Sequence, residues 1–68
     1  MRPTPNQIAN AIESVMTNLT SVHNDVVQAI CKSDQTISGV IAAINNDVYP
    51  ISNVMYPFIA AKLKEIGL

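Results

Sequence analysis

Charge is what this 68-residue chain has least of: only 13% of its residues are Asp, Glu, Lys or Arg, against about a quarter in an ordinary soluble domain. The four cations, Arg2, Lys32, Lys62 and Lys64, are scattered and the net charge is -1. No basic stripe exists that would neutralise several phosphates, which excludes nucleic acid as the expected partner. Aromatics are nearly absent as well. There is no Trp, and Tyr49, Tyr56 and Phe58 all fall in one short C-terminal stretch. Large core-filling side chains are therefore scarce in a domain that, at this length, buries only about 60% of its unfolded surface, so a partner or self-association is a natural supplement.

Cys31 is the only cysteine, which rules out an internal disulfide; its expected place is that of a small buried hydrophobe. His23 is the only histidine, and Asp25, two residues on, points elsewhere on a helix. A metal site needs several converging ligands, and one His plus one Cys do not supply them, so no metal and no cofactor are expected. The carboxylates Glu13, Asp25, Asp34, Asp47 and Glu65 are dispersed over expected outer faces and helix ends, where solvation and capping account for them. With two glycines there is no phosphate-cradling loop, and no nucleophile elbow or Ser-His-Asp pattern is present. No catalytic residue is assigned, and the chain reads as non-enzymatic. Long apolar runs are missing too. Asn45-Asn46-Asp47 interrupts the best candidate well short of the ~18 residues of a membrane span, and the opening MRPTPNQIAN lacks the apolar core of a secretory signal. The expected setting is cytoplasmic or within a particle.

What is present is helical periodicity on a chain that is 49% hydrophobic. Thr4-Pro5-Asn6-Gln7 reads as a helix start. Thr4 is the N-cap, Pro5 sits where its missing N–H is harmless, and Gln7 closes a capping box, leaving residues 1–4 as an extended arm. From there Ile8, Ile12, Val15, Leu19, Val22 and Val26 recur at steps of four and three, a heptad seam that predicts one long helix over about 5–31 and an interaction surface along it. The pattern breaks at Cys31–Thr36, which predicts a short turn near 32–35, with a stutter in a continuous helix as the alternative and Ser33 or Asp34 as a cap. Ile37, Val40, Ile41 and Ile44 then predict a second helix over about 34–46, with Gly39 either a weakness or a point of close packing.

The C-terminal third repeats Tyr-Pro at seven residues, in VYPISNVMYPF (48–58). At about 100° per residue, Ile51, Met55, Phe58, Ile59, Leu63 and Ile66 share an apolar face, Tyr49 and Tyr56 form its aromatic edge, and Pro50 and Pro57 point outward. This predicts a proline-kinked helix over about 48–66. Gly67 and Leu68 fit a Schellman ending against Leu63.

Together these features predict a single all-α domain over 1–68. Two or three helices form a helical hairpin or small bundle, oligomeric through coiled-coil-like seams. The expected function is structural: the protein oligomerises with itself or docks on another protein of a larger assembly, a virion or other particle being the setting its uncharged polar surface suits. Two other readings compete. One is a membrane-surface or small membrane-associated helical protein, since Asp47 is the only charge between Gln35 and Ala61. The other is a small regulatory module offering a groove to a partner helix.

Overall fold

A computed structural model describes all 68 residues. It contains four α-helices and no strand: α1 (Pro5–Val15), α2 (His23–Lys32), α3 (Ile37–Asp47) and α4 (Tyr56–Glu65), with a 3₁₀ helix (Thr17–Val22) between α1 and α2. α1 neighbours α2 and α4, α3 neighbours the same two, and the backbones of the diagonal pairs stay further apart. The helices therefore form a square. Their sense alternates: Arg2, ahead of α1, donates to the Gln35 carbonyl in the α2–α3 connection (2.6 Å), while Val15 and Met16 at the end of α1 border one groove with Tyr49 and Met55 of the α3–α4 connection. This is an up-down-up-down bundle. One end holds both chain termini and the 33–36 turn; the other holds the 3₁₀ helix and the 48–55 connection.

The expected N-cap is present in full. The Thr4 hydroxyl accepts from the Gln7 N–H at 3.2 Å and the Gln7 side chain accepts from the Thr4 N–H at 2.8 Å. The far terminus also follows its sequence. Gly67 takes φ 102°, the Leu68 N–H donates to the Leu63 carbonyl at 2.9 Å and the Gly67 N–H to the Lys64 carbonyl at 3.1 Å, the two bonds of a Schellman motif. Residues 33–36 form a turn rather than a stutter. Thr36, not Ser33 or Asp34, caps α3 by accepting from the Gly39 N–H at 3.0 Å, and Asp34 accepts from both the N–H and the hydroxyl of Thr36. Gly39 is a point of close approach, because a Cβ there would collide with the Asp34 carboxylate that Thr36 holds in place.

The long first helix does not form. The chain leaves helical geometry at Met16 (φ -117°, ψ 81°) and turns through the 3₁₀ helix into α2. Two causes act together. Thr17, Asn18, Thr20 and Ser21 are poor helix formers, and the Thr20 and Ser21 hydroxyls donate back to the Thr17 and Asn18 carbonyls instead. A straight helix over 5–31 would also be about 40 Å long, beyond the 28 Å of the longest molecular axis, and would leave its apolar stripe uncovered. Folding back at Met16 buries that stripe within one chain. Ile8, Ile12, Leu19 and Val26 are fully buried with Ile30, Val40, Ile44, Ile59 and Leu63, each worth about 1.5–3 kcal/mol in burial.

The proline-kinked third helix is likewise replaced. Residues 48–55 are irregular and α4 starts at Tyr56, so that Pro57 occupies its second position, where no intrahelical N–H bond is required. The Ile51 N–H is held by the Asn45 side chain (2.8 Å), and the Ser52 carbonyl receives the Met55 and Tyr56 N–H groups. Each half of the doubled Tyr-Pro thus has its own role: the first lies in the connection, the second opens a helix.

Candidate functional site: an uncharged aromatic end of the bundle

Ile8, Ile12, Leu19 and Val26 of the expected interaction seam face the core with no exposed surface, while Val15 and Val22 are half-buried against it. The heptad phase is that of the inward stripe of two short helices and the turn between them. Of the expected C-terminal face, Ile59 and Leu63 are fully buried and Ile51, Met55 and Ile66 pack partly on the core. Tyr49, Tyr56 and Phe58 do not join them. Phe58 is 60% exposed, and Tyr49 and Tyr56 are 42% and 41% exposed. The difference has a simple cause: with 48–55 irregular, α4 takes its phase from Ile59, and Phe58, one residue earlier, lies about 100° away from that buried direction.

Val54 joins them at 72% exposure, so every exposed large hydrophobic side chain except Met1 lies between residues 49 and 58. A wheel drawn through an assumed helix could not single out Val54. The signal available was the pair of prolines seven residues apart, which brackets a segment unable to remain regular. Of these side chains Tyr49 also walls a groove of about 410 Å3 between the end of α1 and the 48–55 connection, together with Val15, Met16, Pro50 and Met55, with Thr17, Asn18 and Ser52 at its polar margins. None of its residues is charged, and residues 48–61 carry no charge at all.

The one buried carboxylate is Glu13, expected on a solvated outer face. It is 8% exposed and its Oε2 accepts from His23 Nδ1 at 2.6 Å. The pairing crosses the break at Met16, ten residues apart in sequence, and a continuous helix would have hidden it. His23 Nε2 faces the Asn6 side-chain amide at 3.1 Å; rotation of that amide by a half-turn exchanges its oxygen and nitrogen, so it can serve either protonation state of Nε2. Both ring nitrogens are therefore engaged within the chain. Cys31, expected buried, is exposed, because on α2 it lies one residue beyond the buried Ile30. No helix is long and apolar enough to cross a membrane. Comparison of the chain with protein-family models, curated proteins and solved structures finds no match.

Proposed function

We propose that this chain is a non-enzymatic assembly protein that docks through the uncharged aromatic end of its bundle onto a further copy of itself or another protein of a larger assembly, such as a virion or other particle. The observation that carries this reading is the gathering of Tyr49, Val54, Tyr56 and Phe58 on one exposed connection and the helix it opens. Exposed aromatic and aliphatic side chains grouped in this way mark interaction sites in small monomeric domains. The low overall charge supports it too, since a surface with little colloidal repulsion suits a life among neighbours. The docking site differs from the heptad stripe because the core of the chain already covers that stripe.

A photo-crosslinking residue placed at position 58 in the protein's own cell tests the reading. Adducts are expected from position 58 and not from the exposed polar position Asn10. Adducts at neither position, or equally at both, would remove the support for docking by this end. A second reading is contact with a membrane surface: the uncharged 48–61 segment carries two tyrosines and is followed by Lys62 and Lys64. Co-sedimentation with vesicles in place of protein adducts would favour it.

A further inference from the structure

Glu13 and His23 close a loop. The chain between them runs from the end of α1 through the 3₁₀ helix to the start of α2, and the 2.6 Å bond from His23 Nδ1 to Glu13 Oε2 joins the two ends of that stretch. What lies between has few other fastenings. Leu19 is the only buried residue of Thr17–Val22, neither the 3₁₀ helix nor α2 has a side-chain cap, and the Thr20 and Ser21 hydroxyls bond to carbonyls of their own turn. Val15, Met16, Thr17 and Asn18, within the same loop, form the α1-side wall of the groove at the aromatic end. We infer that the Glu13–His23 pair is a proton-dependent clip: with the imidazole protonated it holds residues 14–22, and with them this wall of the groove, and it slackens when the imidazole loses its proton. The clip is a property of the single chain and does not depend on what docks at the aromatic end.

The chemistry follows from the surroundings of the two groups. Glu13 is 8% exposed, and His23 supplies the hydrogen bond that its carboxylate receives within the chain. A carboxylate with so little water around it depends on that partner for its stabilisation. An imidazolium gives it a charge-assisted bond, roughly twice as strong as one from a neutral ring. The neutral ring still donates from Nδ1, and the Asn6 amide serves Nε2 in either state, so loss of the proton weakens the clip without opening it outright. One third of the His23 side chain is exposed, which leaves the ring open to proton exchange with solvent. No other group competes for it. Glu13 is the only ionisable side chain of α1, and the 3₁₀ helix has none. α2 carries Asp25, Cys31 and Lys32, and α3, which packs on it, carries Asp47; none of these is bonded to His23. Asp25, in the first turn of α2, offsets the unfavourable placing of a cation at a helix start. The clip's contribution to stability is therefore full while the ring is charged and falls as pH rises through the imidazole range.

A double-mutant cycle of Glu13→Gln and His23→Gln tests this, read by urea unfolding at about pH 5.5 and about pH 8, on either side of the ordinary imidazole range. Contributions from Asp34 and the other titrating groups cancel in the cycle and leave the coupling of the pair. That coupling is expected to be about half as large at the higher pH. In the parent chain, backbone amide NMR relaxation should give lower order parameters at the higher pH for Thr17, Asn18 and Leu19, with Val40, Ile41 and Ile44 of α3 unchanged. His23→Gln should abolish that difference. Equal coupling at the two pH values would overturn the proposal, as would order parameters at residues 17–19 that do not fall as pH rises, or that fall equally in His23→Gln. The relaxation measurement on the parent decides the matter even if the double variant does not fold.

Discussion

His23 joins three places in the chain: its own position at the start of α2, Glu13 near the end of α1 and Asn6 in the first turn of α1. Removing the imidazole leaves a carboxylate in a site where water reaches little of it, and a charge-assisted hydrogen bond is lost together with the means of stabilising that charge. His23→Ala is expected to destabilise the fold by about 2 kcal/mol in urea unfolding. Glu13→Gln, which keeps an oxygen for Nδ1, should cost clearly less. Equal costs for the two would mean that the buried charge contributes nothing to the effect. Asp34 provides the acid-side counterpart. The Thr36 backbone N–H, followed by the Thr36 hydroxyl, holds its carboxyl below the ordinary value of 3.8. A carboxyl whose pKa is depressed by folding contributes stability that is present above its unfolded pKa and is lost as pH falls through the folded one. The contribution should therefore be intact at neutral pH and disappear below about pH 4. Asp34→Asn is expected to flatten the acid limb of a thermal-melt pH series by lowering its neutral plateau toward the acid value. An acid limb as steep as the parent's would show that other carboxylates govern it.

At the scale of elements, the legible parts were those written in local chemistry. The Thr4–Gln7 capping box, the break near residues 32–35 and the Gly67 ending follow from hydrogen-bond partners within a few residues of each other. The inward phase of Ile8, Ile12, Leu19 and Val26 was legible as well. What periodicity could not convey is whether a stripe continues along one rod or is folded against itself, because a heptad phase survives a well-placed turn. The Met16 break, and with it the Glu13–His23 pair, depended on what the rest of the chain was available to cover, as did the irregular 48–55 connection and with it the exposure of Phe58. Pro57 distinguishes the two geometries of the C-terminal third. Inside a kinked helix over 48–66, replacing it with Ala would restore an interior hydrogen bond worth about 3 kcal/mol or more with the relieved ring clash. At the second position of α4 there is no such bond to restore. Pro57→Ala is therefore expected to shift stability by only about 0.5 kcal/mol and helicity hardly at all, as read by denaturation and far-ultraviolet circular dichroism. A large gain in either would mean that the segment is helical through Val54.

For the whole molecule the decisive quantity is surface. The chain exposes 4065 Å2, close to the about 4200 Å2 expected of a folded monomer of its mass, so its core closes without a neighbour. That separates folding from the assembly proposed above: the heptad stripe serves the first, and on that proposal the aromatic end serves the second. Leu19 tests the separation. In an oligomer held by the stripe, Leu19→Asp would release folded protomers, because the residue would lie between chains. In the bundle Leu19 has no exposed surface. An unpaired carboxylate there costs several kcal/mol, set against a total stability of roughly 3–10 kcal/mol for a domain of this length. Leu19→Asp is therefore expected to abolish or severely weaken the cooperative thermal transition, and raising the protein concentration should not restore the parent's melt. Val15→Asp, at a half-buried groove position, should keep a cooperative melt and impair association. If Leu19→Asp instead gave a well-folded monomer from an oligomeric parent, the stripe would lie between chains and the division of labour between core and aromatic end would fall.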